Sequence, residues 1–173
     1  MRDEAFVRSE VRWLVGRARL ALGLPESALV GCTAEQIAQM MEAQELLELP
    51  PALDELLRRA GVHANGTVLG ELFRGTALGW DVMLFAKGHA RETAAISGSE
   101  ETFGPDRVVF FSDPGGTVLW LEAREPDSAV WALSEKTLNP QIESARLACW
   151  LEAHVVRAEV GWPTRDYWRR AVP

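Results

Sequence analysis

Residues 108–133 constrain the fold of this chain more than any other stretch. The run at 108–111 reads VVFF, and such β-branched and aromatic residues favour a strand. A turn sequence rich in Pro and Gly follows at 112–116, and a second apolar run occupies 117–121. After a polar break, a third run at 129–133 completes the pattern of a β-meander.

The first of these strands is expected to lie in the middle of the sheet. Its residues, 108–111, are apolar at every position, so both of its faces should be covered. We therefore interpret it as a central strand with the helices of the chain packed on it.

Helical spacing of apolar residues predicts helices at 3–22, 33–47, 51–60, 81–96 and 139–161. The glycine-bearing stretch between the third and fourth helices is expected to form loops, with a short strand around residues 67–69. Together with the meander, these helices predict an α+β fold with a mixed, largely antiparallel sheet.

Capping residues mark several of the predicted helix starts. Thr33 and Gln36 match a capping box, and Pro51 suits a first helical position, where its missing N–H has no partner to lose. We expect Asp81 and Asn139 to act as N-caps of the two later helices. The ends of the helices are therefore predicted from local chemistry alone.

A length of 173 residues is typical of one domain. Within it we divide the chain into an N-terminal helical extension at 1–25, an α+β domain at 26–160 and a C-terminal tail at 161–173. Trp80, Trp120 and Trp131 are candidate anchors for a partner, although at least two of them are expected in the core.

The chain is acidic, with a formal net charge of -7 and a sequence pI of about 5.0. This balance opposes binding to nucleic acid and to anionic membranes. The sequence contains no secretory signal and no apolar run long enough to span a bilayer, which predicts a cytoplasmic protein. Cys32 and Cys149 lie far apart and form no CxxC motif, so we expect buried free thiols.

A set of residues spread over the chain resembles one known family. They comprise a Leu-Pro helix start and an aromatic strand with its turn, namely Leu49, Pro50, Leu56, Leu57, Phe110, Phe111, Asp113, Gly115, Gly116 and Trp120. In these residues, over 33–158, the chain resembles the SMI1/KNR4 family, also called the SUKH superfamily. It departs from the family at 61–66, where Gly-Val-His-Ala-Asn-Gly replaces an Asn-Gly-Gly-like step.

The resemblance implies a mixed sheet surrounded by helices and a binding function. Bacterial members of the family resemble immunity proteins, which bind and block a toxin domain of their own cell, often a nuclease or a deaminase. Other members resemble adaptors or regulatory scaffolds, and this is the alternative function. The family supplies no catalytic residues and no cofactor.

Motifs for catalysis are absent from the sequence. His63, His89 and His154 are not at metal-binding spacing, and no serine lies in a GxSxG context. Cys32 lies at a helix start but is expected to be buried and inert. We therefore expect no enzyme, metal or cofactor site, and a small hydrolase is the third alternative. A helix-turn-helix at 33–60 is rejected, because acidic residues begin its second helix.

Acidic residues gather before the meander and on its turns, and they define the predicted partner surface. If the sheet stacks these loops on one side, they form an acidic patch that suits a basic toxin domain. A solvated rim with no partner is the alternative, and the oligomeric state is left open. With Trp80 as an anchor, the predicted site comprises Glu100, Glu101, Asp106, Glu122, Glu125, Asp127 and Trp80, and the same loops also carry Glu92 and Glu135.

Overall fold

A four-stranded sheet organises the protein, with its strands adjacent in chain order. We describe a computed structural model, which covers residues 3–73, 78–99, 103–112, 116–137 and 139–161. Every neighbouring pair of strands is antiparallel. The strands are β1 (Arg107–Ser112), β2 (Thr117–Glu122), β3 (Val130–Ser134) and β4 (Gln141–Ser144).

Within the described ranges, six α-helices accompany the sheet, which confirms the α+β class. They are α1 (Glu4–Ala21), α2 (Ala34–Ala43), α3 (Pro51–Ala60), α4 (Val68–Leu72), α5 (Trp80–Ser97) and α6 (Leu147–Glu159). The predicted capping box of Thr33 and Gln36 and the predicted Pro51 start are both present. None of the described helices is both long and apolar enough to cross a membrane.

The two faces of the sheet bury two separate apolar clusters. The larger cluster joins α1, α3, α4 and α6 to one face, where Trp150 contacts Phe110 and Phe111. The smaller cluster joins alanines of α5 to Val109 and Trp120 on the other face. Helices therefore cover β1 on both sides, as its apolar sequence predicts.

The predicted central position of β1 is wrong, because β1 forms an edge of the sheet. The edge is closed by the side chain of Gln44, which is 0% exposed. Its Oε1 accepts from Val109 N at 2.9 Å, and its Nε2 donates to Val109 O at 2.7 Å and to Met83 O at 2.8 Å. One buried amide thus takes the place of a neighbouring strand at Val109.

The last helix begins at Leu147 and not at Asn139, because residues 141–144 form β4. The pairing of β4 with β3, the strand that precedes it in the chain, overrides the local signal of Asn139 and Pro140. The expected strand at 67–69 is also absent, since Thr67 caps the short helix α4 through a hydrogen bond from Gly70 N.

Helix α5 differs from its prediction in its start and in its buried face. Its N-cap is Gly79, whereas Asp81 lies in the first turn. Phe85 and His89 follow the helical spacing from Val82, but both are exposed. The buried face instead carries small residues such as Ala86 and Ala90, which allow close approach to the sheet.

The segment at 1–25 contributes to the larger cluster through five buried residues of α1, namely Val7, Val11, Leu14, Val15 and Ala18. Ion pairs hold the same helix on α3: Arg8 lies 2.6 Å from Asp54, and Arg12 lies 2.9 Å from Glu55. Helix α1 is therefore packed into the core of the protein.

Candidate protein-interaction surface

Three of the predicted site residues come together at one end of the β1–β2 hairpin. Asp106 precedes β1, and its carbonyl accepts a hydrogen bond from Ala123 N at 2.7 Å, just after Glu122 ends β2. The amide of Glu125 then donates to the carbonyl of Glu122 at 3.2 Å. We call Asp106, Glu122 and Glu125 the acidic hairpin base.

The three carboxylates of the acidic hairpin base repel one another. Burial raises the pKa of Glu122, and the neighbouring Asp106 and Glu125 raise it further, although Arg107 acts in the opposite direction. Arg107 Nε lies 3.5 Å from Glu122 Oε1 on the adjacent strand. Asp106 and Glu125 are exposed. The group therefore presents more negative charge than its nearest arginine balances.

The other predicted site residues lie elsewhere. Glu100 and Glu101 are outside the described residues. Asp127 accepts from Arg146 at 3.0 Å, and the same guanidinium donates to Glu10 at 2.8 Å. Asp127 thus fastens the β2–β3 loop to α1 and contributes to the fold.

The predicted anchor Trp80 packs partly buried against the larger cluster, and its amide donates to Gly61 O at 3.1 Å. Trp120 is a core residue, and Trp131 stacks on it with ring centroids 6.3 Å apart. Glu135 lies at the opposite end of β2, where its amide donates to Gly116 O. The acidic loops therefore do not all share one side of the sheet.

Cysteine and histidine are among the residues most often used in catalysis. Here Cys32 and the three histidines are either buried or close to another polar atom of the protein. Burial raises the pKa of the Cys32 thiol to about 11, and burial lowers the pKa of His154 to about 3. His63 Nε2 lies 3.2 Å from Phe73 O, and His89 Nδ1 lies 3.4 Å from Ser112 Oγ. Among the residues that the structure describes, no group of three or more His, Cys, Asp or Glu is placed to hold a metal ion.

A buried lysine lies close to the acidic hairpin base. Lys87 is 2% exposed, and its Nζ donates to the carbonyls of Gln44 and Gly104. Burial lowers its pKa to about 8, partly offset by Glu45 and Asp106. Because both acceptors are backbone carbonyls of neighbouring segments, the lysine ties the end of α2 to the segment that leads into β1.

A second exposed surface was missed by the sequence analysis. Phe6, Trp13 and Leu20 are 53%, 57% and 67% exposed, respectively, and lie on the outer face of α1. The signal was their spacing of seven residues, which places them on one stripe of a helix. The helix itself is predicted by its buried stripe alone.

No protein-family model matches the sequence, and no curated protein matches it either. The inferred chemistry of these surfaces therefore comes from their own residues.

Proposed function

We propose that this chain is a non-catalytic protein-binding domain that receives a basic partner at the acidic hairpin base. The supporting observation is that the fold holds Asp106, Glu122 and Glu125 at one end of a hairpin, although their negative charges repel one another. Repulsion between neighbouring carboxylates raises the pKa of one of them. This repulsion decreases when a cation approaches the carboxylates. A lysine- or arginine-rich surface is the partner that this arrangement favours.

The partner in this proposal is a bacterial toxin domain, which makes the protein an immunity protein. A nuclease toxin must attract a polyanionic substrate, so its active-site cleft is basic. An acidic protein surface competes for the same positive groups. The toxin itself is inferred from the resemblance to the SMI1/KNR4 family.

Neutralisation by contact requires no catalytic group. It is consistent with a buried Cys32 and a buried His154. We further propose that the protein acts in the cytoplasm, because both of its cysteines are free thiols and reducing compartments keep thiols in that state.

The proposal is tested by calorimetric titration of the purified protein with toxin-like domains encoded beside its gene. We expect nanomolar affinity at about 50 mM salt and clearly weaker binding at about 300 mM, because salt screens exposed charges. The double variant Asp106→Asn/Glu125→Gln should weaken the binding at low salt by more than tenfold, roughly 1.4 kcal/mol.

The matched control is Glu42→Gln/Glu26→Gln, which removes the same amount of charge from exposed positions on other elements. Equal effects of the two double variants would show that only net charge matters and would reject the acidic hairpin base. Absence of binding to every neighbouring toxin domain would reject the immunity function and leave an adaptor or regulatory scaffold as the alternative.

A further inference from the structure

The outer face of α1 has the composition of an interface. Trp13 is flanked by Phe6 and Leu20, each two helical turns away along the exposed stripe. The guanidinium of Arg17 lies 4.6 Å above the Trp13 ring. Tryptophan and arginine are the residues that most often dominate binding energy at protein interfaces.

We propose that this face binds a second copy of the same chain, with the two α1 helices antiparallel and Trp13 at the two-fold axis. Phe6 and Leu20 are equally distant from Trp13 along the sequence. In an antiparallel pair centred on Trp13, Phe6 of each copy therefore meets Leu20 of the other, so the stripe is complementary to itself.

The polar residues of α1 agree with the same arrangement. With Trp13 on the axis, Glu10 of one copy lies within one residue of the level of Arg17 of the other. Both side chains flank the apolar stripe on the side of α6, where they contact Arg146 and Glu159, respectively. A two-fold axis perpendicular to the plane of the two helices leaves the α6 flank of each copy on the same side of that plane. Glu10 of one copy and Arg17 of the other therefore face each other across the dimer as opposite charges.

Close approach of the two helices is allowed at Gly16. A side chain added there would meet no atom within 4 Å, so the surface around it is open. In the antiparallel pair, Gly16 of one copy lies at the level of Glu10 of the other, and Ser9 lies at the level of Arg17. Small residues at these levels leave room for the Trp13 rings.

Helix α6 widens the surface on one flank. Arg17 lies 3.5 Å from Glu152 and 2.8 Å from Glu159, and these two residues bracket the exposed Val156 on α6. Arg17 therefore connects Trp13 on α1 to the exposed face of α6 that carries Val156. This surface shares no residue with the acidic hairpin base, so dimer formation does not depend on the proposed function.

Sedimentation velocity of the full chain tests the proposal. We expect a dimer in the micromolar range and a dissociation constant raised more than tenfold by Trp13→Ser. The control is Leu47→Ser, because Leu47 is 82% exposed on another segment and should leave the dimer intact. A wild-type monomer at all concentrations, or a dimer that Trp13→Ser leaves unchanged, would overturn the proposal.

The direction of the two helices is tested by cross-linking of cysteine variants. When Phe6→Cys and Leu20→Cys proteins are mixed and oxidised, an antiparallel pair gives a disulfide-linked heterodimer. Each variant alone should give far less product. A dominant product from Phe6→Cys alone would indicate parallel helices and overturn the arrangement.

Discussion

Two sets of polar residues lie beside β1, namely the pair Gln44 and Lys87 and the acidic hairpin base. They differ in how far the surrounding protein balances their charges and polar atoms. Gln44 and Lys87 are buried, and the polar atoms at their ends are bonded to the backbone of neighbouring segments. The acidic hairpin base gathers like charges, two of which are exposed. The comparison indicates that the first group stabilises the fold, whereas the second leaves charge available for a partner.

The largest effect expected on stability is that of Gln44→Leu. The substitution leaves Val109 N and Val109 O, as well as Met83 O, without the partner that Gln44 supplies. Buried unsatisfied groups cost about 1–3 kcal/mol each, so we expect a loss of about 4 kcal/mol in the free energy of unfolding. Urea unfolding measures the loss.

The control for this experiment is Gln39→Leu, which changes an exposed glutamine of α2, the helix that ends directly before Gln44. It should alter stability by less than about 0.5 kcal/mol. Similar losses for the two variants would show that Gln44 does not close the edge of β1.

A smaller effect, about 3 kcal/mol, is expected from the titration of Lys87. Its pKa is lowered from 10.5 to about 8 in the folded protein, so between these values only the unfolded chain holds the proton. The contribution of Lys87 to the free energy of unfolding should therefore rise with pH across this window.

The variant Lys87→Met should lack most of this rise, whereas Lys136→Met, at an exposed position, should retain it. Urea unfolding at pH 7.5 and at pH 10 provides the comparison. An unchanged slope in Lys87→Met would assign the rise to other groups.

A third comparison separates two acids, Asp127 and Asp106, that the sequence analysis assigned to one site. Asp127→Asn weakens the contact with Arg146 and should cost about 1–2 kcal/mol, because hydrogen bonds to charged groups are the stronger ones. Asp106→Asn should change stability by less than about 0.5 kcal/mol, because Asp106 is exposed. Thermal unfolding of the two variants measures the difference, and equal losses would contradict the division of roles.

The smallest effect is expected at Glu122. Because its pKa is raised on folding, its charged form is disfavoured in the folded state, and stability should increase as the pH falls through its titration. At neutral pH, Glu122→Gln should raise the free energy of unfolding by no more than about 0.5 kcal/mol, since the group is partly exposed and screened. A clear loss of stability would indicate that its pair with Arg107 outweighs the repulsion.

Local chemistry predicted much of this fold. The Thr33 capping box, the Pro51 helix start and the β-meander depend on adjacent residues, and all are present. The β1–β2 pairing then brings Asp106 close to Glu122, as a hairpin requires.

Contacts between distant residues explain what the sequence did not predict. A shift in register between Val109 and Phe111 places the side chains of Phe110 and Phe111 together in the larger apolar cluster. Gln44 bonds to Val109 at the edge of β1 from 65 residues away. Asp127 is likewise held by Arg146 and Glu10 from other elements. No local pattern encodes such pairings.

The most direct test of the central claim is the association rate with a neighbouring toxin-like domain, measured by stopped flow at low and high salt. If the acidic hairpin base steers a basic partner, the wild-type rate should fall by roughly tenfold or more between about 50 and about 300 mM salt. Asp106→Asn/Glu125→Gln should be slower at low salt and less sensitive to salt. A variant with the rate and salt dependence of the wild type would contradict the account.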